Sequence, residues 1–338
     1  MKIEEILSEA KNQGASDTHL SVGMPPVFRL HGDIIPQMSW PVLTSVETEK
    51  LCRQMMNKYS LSQIEEKGET DFGYEIPRIS RFRVNIFKQK GYYGASIRTI
   101  NYKILSLEEL RLPQVLGELC RKPRGLVLVT GPTGSGKTTT LAAMIDQINR
   151  ERKGHILTLE DPIEYIHHHQ NCIVNQREIG SDSLSFASAL RAGLRQDPDV
   201  ILIGEMRDLE TISTAVTAAE TGHLVLASLH TSSAAQTVER MIDIFPPHQQ
   251  QQIRIQLAAA IEGIISQILL KKVDGTGSIA VAEVMIATPA VRNLIREGKT
   301  HQLNSMIQTG RQYGMQTMES ALKELVYKKL IRSDDIIL

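Results

Sequence analysis

Cysteine is scarce in this sequence: 338 residues contain only Cys52, Cys120 and Cys172. No two of them have the spacing of a zinc-ligand pair, and three cannot build a disulfide framework. Reduced thiols in the cytosol are therefore the expectation. Net charge is lacking as well, since 38 basic residues balance 38 acidic ones. Proteins that coat nucleic acid carry a basic excess, so no nucleic-acid partner is expected. Long apolar runs are missing too. None approaches the ~18 residues of a membrane span. The start, Met1-Lys2-Ile3-Glu4-Glu5, puts two acids where a signal peptide needs an apolar core. Any membrane association is expected to be peripheral. No internal repeat or low-complexity segment is seen. The triplet His167-His168-His169 lacks paired cysteines or acids at ligand spacing and reads as a solvated loop.

What is present falls into two patterns, and the length suggests about two domains. Ile3, Ile6, Leu7 and Ala10 recur at helical spacing, with Gly14 as a stop. Residues 27–30 read as a strand, 31–33 as a turn and 44–66 as helical. Strand-like stretches follow at 71–76, 81–88 and 92–100. Strands flanking helices within about 100 residues suggest a small α+β domain. Pro113 and Pro123 mark residues 105–124 as a connector with one short helical pattern. From Gly125 onward, apolar strands at 125–130, 156–159, 200–203 and 224–229 alternate with helical stretches. Strands apolar throughout are expected where both faces of a parallel sheet are covered. After residue 270 the chain reads as mostly helical, with a strand at 278–284. The expected division is 1–104, a linker at 105–122, an α/β domain at 123–270 and a C-terminal extension at 271–338.

The most informative run is Gly131-Pro132-Thr133-Gly134-Ser135-Gly136-Lys137-Thr138, followed by Thr139. It fits G-x-x-x-x-G-K-[ST]. Phosphate oxygens need many donors at close range, and main-chain N–H groups supply them where no Cβ intrudes. Gly131, Gly134 and Gly136 permit that approach. The helix that follows directs its N-terminal dipole at the anion. Lys137 would reach the β- and γ-phosphates, and the Thr138 hydroxyl would meet Mg²⁺. An apolar strand before the run and a helix with Leu141, Met144, Ile145 and Ile148 at core spacing supply the context the motif requires.

Hydrolysis of a nucleotide also needs a carboxylate for Mg²⁺ and one to orient water. Strand ends offer Glu160, Asp161 and Glu164 in one segment and Glu205 in another, the last following an apolar strand and a glycine. The alternative is that these acids cap helices or make surface pairs. His230 ends a further strand and could bond a γ-phosphate or be a structural histidine. Arg81 and Arg83 alternate with Phe82, Val84 and Ile86, and Arg98 lies in the next strand. An arginine finger is worth about 10³–10⁵ in rate, although the pattern alone favours an ordinary exposed polar face.

Taken together, the phosphate loop, the acidic run ending in Glu164, the segment 197–208 and the histidine segment 221–231 resemble the secretion ATPase superfamily, whose members power type II secretion and type IV pili. The stretch Ala15-Ser16-Asp17-Thr18-His19-Leu20 resembles the start of the family's PAS-like domain. Ala290-Val291-Arg292-Asn293-Leu294-Ile295-Arg296-Glu297 resembles the signature of its pilus-retraction branch, with Val291 where Ile is usual. Extension ATPases typically carry a tetracysteine metal site, which this sequence lacks. The resemblance implies an α/β, RecA-like P-loop domain behind an α+β PAS-like domain, with a helical C-terminal extension. It implies a homohexameric ATP hydrolase that uses ATP and Mg²⁺ to rotate its domains, driving pilus retraction and twitching motility. Nucleotide would lie between the domains, with Arg81, Arg83 and Arg98 completing the site. Glu164 would polarise water, Glu205 would act near Mg²⁺, and His223 and His230 would couple nucleotide state to domain motion. An inner-membrane pilus platform protein and a paralogous retraction ATPase are the implied partners, at the cytoplasmic side of the inner membrane. The alternatives are an extension or type II secretion ATPase, a non-hydrolysing paralogue that tunes such a motor, or a nucleic-acid translocase.

Overall fold

Ile3, Ile6, Leu7 and Ala10 fall on one side of a helix. In the computed structural model they are buried together on α1 (Ile3–Asn12). The structure describes residues 1–30, 32–77, 79–100, 103–275 and 277–336. The expected turn at 31–33 includes His31, which lies outside the described residues. The chain divides into two compact units: Met1–Lys103 with Pro162–Ile166, and the remainder from Ile104 onward.

In the first unit α1 is followed by β1 (Asp17–Leu20), β2 (Val27–Leu30), β3 (Asp33–Pro36), α2 (Ser45–Met55), α3 (Lys58–Lys67), β4 (Glu69–Ile76), β5 (Ser80–Gln89) and β6 (Tyr92–Ile100). The strands form one antiparallel sheet in the order β3-β2-β1-β6-β5-β4. Phe82, Val84 and Ile86 alternate along β5 and pack with Leu7, Leu51 and Ile64 from the three helices. Arg81 and Arg83 consequently face the other side. The single helical stretch expected at 44–66 is two helices. Met56 is extended at ψ 138°, and the Asn57 side chain accepts the Ser60 N–H at 2.8 Å, which starts a new helix. Strands β1 and β3, of four residues each, were not expected.

The second unit contains α4 (Val115–Cys120), β7 (Gly125–Thr130), α5 (Lys137–Glu151), β8 (His155–Glu160), β9 (Ile173–Glu178), α6 (Phe186–Gly193), β10 (Val200–Ile203), α7 (Leu209–Thr221), β11 (Leu224–Leu229), α8 (Ala234–Asp243), α9 (Pro247–Ala260), β12 (Ile261–Lys271), β13 (Ser278–Ile286), α10 (Pro289–Arg296), α11 (Leu303–Thr309) and α12 (Met318–Tyr327). The sheet order is β13-β12-β7-β11-β10-β8-β9, parallel except for β13 at one edge. Every residue of β7, β10 and β11 is buried. Leu126 and Leu128 point into one core, and Val127 and Val129 into the core on the opposite face.

Three features differ from the sequence reading. Residues 105–124, read as a connector, contribute Leu107, Leu112, Leu116 and Leu119 to one of these cores. Strand β9 was not expected, because its polar residues hide the pattern at the sheet edge. The region after residue 270, read as mostly helical, begins inside a β12–β13 hairpin. Strand β12 escaped notice because it follows Ala260, the last residue of α9, with no intervening turn.

The histidine triplet lies in a loop with His168 and His169 exposed, as expected, but His167 is turned inward. His167 is 7% exposed and its Nδ1 has no hydrogen-bond partner. Burial pushes its pKa from 6.5 down to about 4, against the opposing pull of Asp146. The unfolded chain therefore binds the extra proton between about pH 6.5 and pH 4, and stability falls with falling pH across that window. The full loss is about 3 kcal/mol by pH 4. His167→Met should remove this component, seen as a flatter dependence of the denaturation midpoint on pH below 6.5; identical profiles would refute it.

Candidate nucleotide site

Strand β7 ends at Thr130, and the chain turns through the phosphate-loop sequence into α5. The loop's geometry demands its glycines. Gly131 has φ +144°, and a Cβ there would fall 2.2 Å from the Gln267 carbonyl oxygen. Gly136, at φ 85°, is the residue that caps α5. Pro132, Thr133 and Gly134 are exposed, whereas Ser135 and Lys137 are buried. The Lys137 ammonium donates to the carbonyls of Gly131 at 2.8 Å and Pro132 at 3.0 Å, so it is held over its own loop. Ser135 Oγ is buried without a hydrogen-bond partner. An unpartnered hydroxyl among main-chain amides at a helix N-terminus fits an anion. Thr138 and Thr139 sit in the first turn of α5, half-buried.

Neighbouring parallel strands deliver the acid and the histidine to the same end of the sheet. Leu229 pairs with Thr130, and Ile203 pairs with Ala227. Glu205 follows β10 and His230 follows β11. His230 Nε2 lies 3.0 Å from Glu205 Oε1, and Arg207 Nε lies 2.5 Å from the same oxygen. Arg207 was not anticipated; its place two residues after Glu205 was the only signal. Glu160 is 5% exposed, and its Oε1 accepts Thr158 Oγ1 at 2.6 Å and Gln176 Nε2 at 3.1 Å. Asp161 beside it is exposed.

His223 is not brought to this group. It precedes β11, its carbonyl accepts the Gly125 N–H where β7 begins, and its Nδ1 faces the Ala218 carbonyl at 3.0 Å. The length of β11 separates it from His230, roughly 20 Å at the usual strand rise. Of the two histidines expected to act with the nucleotide, His230 is at the phosphate-loop end of the sheet and His223 at the opposite end of β11.

The remaining candidates belong to the first unit. Arg83 on β5 stands opposite Arg98 on β6, and Arg98 opposite Asp17 on β1. Arg98 Nε pairs with Asp17 at 3.0 Å, and Arg83 Nε with Asp71 at 3.4 Å. The segment Pro162–Ile166 belongs to this unit. There Arg81 Nε donates to the Ile163 carbonyl at 3.2 Å, and Glu164 lies 4.0 Å from Arg83 Nη1. The structure thus groups Glu164 with Arg81 and Arg83, and Glu205 with His230 and the phosphate loop.

A cavity of about 200 Å³ adjoins the loop at Gly136, Thr139 and Thr140, with Leu105, Leu110, Leu269 and Ile279 among its walls. Sequence reading missed these residues because they come from distant segments. A larger cavity of about 660 Å³, between Arg111, Arg121 and Glu151, holds none of the candidate residues, so size alone does not mark the site.

A parallel sheet with a phosphate loop after one strand and an acid after another defines a P-loop nucleotide-binding protein. Residues 92–332 match the model of the type II/IV secretion system protein family, and the chain belongs to that family. It is 51% identical to the type IV pilus retraction ATPase PilT of Pseudomonas aeruginosa, over 99% of this chain and 97% of that one. A twitching motility protein of Neisseria gonorrhoeae is 50% identical over 90% of this chain and 82% of its own length. The crystal structure of the pilus retraction motor PilT with bound ADP superposes with a TM-score of 0.93 at 48% identity, covering 100% of this chain and 96% of that one.

Because a Cβ on Gly131 would meet the Gln267 main-chain oxygen at 2.2 Å as well as Ser135 Oγ at 2.6 Å, Gly131→Ala must displace either the loop or β12. At about 1–3 kcal/mol of strain, ADP affinity should fall at least about tenfold. Unchanged affinity by titration calorimetry would show that the loop adapts.

Proposed function

We propose that this chain is an ATP-hydrolysing motor that drives type IV pilus retraction and twitching motility, working as a homohexamer. The observation that carries this is the phosphate loop at the end of β7, with Glu205 and His230 on adjacent strands, in a chain similar over nearly its whole length to pilus retraction ATPases. The main-chain amides of Gly131, Pro132, Thr133, Gly134, Ser135, Gly136, Lys137 and Thr138 hold the phosphates. The cavity beside Thr139 and Thr140 takes the base. The Thr138 hydroxyl and Glu205 carboxylate are oxygen donors suited to magnesium, which supplies charge neutralisation at the phosphates when bound. His230, bonded to Glu205, reports the γ-phosphate. Arg81, Arg83 and Arg98 supply cations to the transferring phosphoryl group, and Glu164 orients water. Loss of the γ-phosphate then shifts the balance between two arrangements of the units.

No described helix is long and apolar enough to cross a membrane. Peripheral attachment to the cytoplasmic side of the inner membrane, through a pilus platform protein, completes the reading, and a paralogous retraction ATPase is a candidate second partner. The signature helix α10 suggests where docking occurs. Val291 and Ile295 are buried, and Asn293, Arg296 and Glu297 are exposed. Arg292 instead turns inward, donating to the carbonyls of Ala258 at 2.9 Å, Ala259 at 2.8 Å and Ala287 at 3.1 Å, and pairing with Glu262 at 2.6 Å.

Steady-state turnover tests the enzyme. Lys137→Ala should reduce ATP hydrolysis to background, and Glu164→Gln should keep ATP binding while losing turnover. Wild-type rates in either variant would remove that residue from its role. Retraction in a cell lacking its own retraction ATPase tests the rest. Arg296→Ala should impair motility at normal turnover, whereas Arg292→Ala should lower stability by about 2–3 kcal/mol through its lost capping bonds. If Arg292→Ala melts like wild type, its inward contacts are dispensable.

A further inference from the structure

We propose that Gln267 is a positioning residue for nucleotide binding, a buried amide on β12 that fixes the phosphate loop in its anion-holding shape. The inference rests on the loop being the nucleotide site, as proposed above. Gln267 is 1% exposed, and both ends of its side chain are used. Its Nε2 donates to the Ser135 carbonyl at 2.6 Å, and its Oε1 accepts the Thr140 hydroxyl at 2.9 Å. Its main-chain oxygen is the atom that a Cβ on Gly131 would strike. One residue earlier, Ser266 Oγ meets Thr130 Oγ at 2.8 Å at the root of the loop. Strand β12 therefore touches the loop at its start, at Ser135 and in the first turn of α5.

The bond to Ser135 has a directional consequence. In a trans peptide the C=O and the following N–H point in opposite directions within one plane. Holding the Ser135 carbonyl toward β12 aims the Gly136 N–H the opposite way, toward the phosphate side of the loop. Gly136 is also the position where a Cβ would crowd Gln267 Nε2, at 3.2 Å. A loop that binds through amide direction gains affinity when those directions are set beforehand, because the ordering is not charged to the ligand. Thr140, 2% exposed, gives the amide its second anchor, so the side chain cannot swing away without leaving a buried polar group unpaired.

The test compares Gln267→Met, which keeps length but neither donates nor accepts, with Gln267→Glu. The carboxylate can still accept from Thr140 but opposes the Ser135 carbonyl; protonated, it regains a donor. ADP dissociation constants, ATP kcat and KM, and ligand-free melting temperature are measured for each. Gln267→Met should weaken ADP binding about tenfold and raise KM more than it lowers kcat, in protein still folded at the assay temperature. Gln267→Glu should bind weakly near pH 8 and recover toward wild type as the pH falls to about 6, each value taken relative to wild type at the same pH. This second variant decides the matter if the first does not fold. The proposal is overturned if Gln267→Met binds ADP within about twofold of wild type, or if Gln267→Glu keeps the wild-type pH profile. Wild-type protein that binds no ADP would instead overturn the phosphate-site reading and take this proposal with it.

Discussion

The second unit is organised around one constraint: a turn rich in free main-chain amides has to keep its shape between a strand and a helix. Isolated glycine-rich turns are loose, since glycine loses more conformational freedom on ordering than any other residue. Here β7 leads into the loop, and it is paired on both sides, with β11 and with β12. Burial of all six β7 residues fixes the root of the loop, and α5, with Leu141, Ile145 and Ile148 in the same core as Val127 and Val129, fixes its far end. Between those two anchors, contacts from β12 determine which way the peptide planes face.

The charged groups show how much a strand pairing decides. Arg83, Arg98 and Asp17 form a row across three adjacent strands of the first unit because their registers coincide. Each arginine named as a candidate has a carboxylate or carbonyl in reach. The Arg83–Asp71 pair is exposed on both sides, and such surface pairs are weak, commonly under about 1 kcal/mol. Arg98 instead meets a buried carboxylate, since Asp17 is only 8% exposed. Glu205 is in a different position, with Arg207 and His230 converging on one oxygen of its carboxylate. Its second oxygen is the one that these two contacts leave for other partners.

The legible parts of the sequence were those where one local rule dictates the answer. The phosphate loop combines steric and charge demands within eight consecutive residues, so its strand–loop–helix setting could be read directly. The buried strands β7, β10 and β11 were visible because continuous apolar runs have few other uses. Strand β12 was not visible, because its role comes from a partner more than a hundred residues away and it follows a helix without punctuation. Gln267 illustrates the limit: in sequence it is a polar residue among isoleucines, and only the register of β12 against β7 gives it meaning. Arg292 is a second case. Its place in a recognisable signature says nothing of its contacts, yet in the structure it serves as the C-terminal cap of α9. Such capping of helix carbonyls by a cation is favoured by the helix dipole as well as by hydrogen bonding.

The β12–β13 hairpin then emerges as more than an edge of the sheet. Near its start, Glu262 pairs with Arg292 of the signature helix at 2.6 Å and with Lys122 at 3.0 Å. In its middle, Gln267 grips the phosphate loop. On the returning strand, Glu283 accepts the Ala234 N–H at 2.8 Å, at the start of the helix that follows His230, and also the N–H of Met318 at the start of α12. Burial pushes the Glu283 carboxyl pKa up and these two helix-end bonds pull it down, the burial effect being the larger. At the tip, the Val273 N–H reaches the Leu330 carbonyl at 3.0 Å. The same pair of strands is therefore bonded to the phosphate loop, to the helix following the histidine and to the C-terminal helices. These contacts run without a break from the phosphate loop to α10 and α12 along one hairpin. A sequence signature that lies far from the chemistry along the chain is in this way attached to it by hydrogen bonds at both ends.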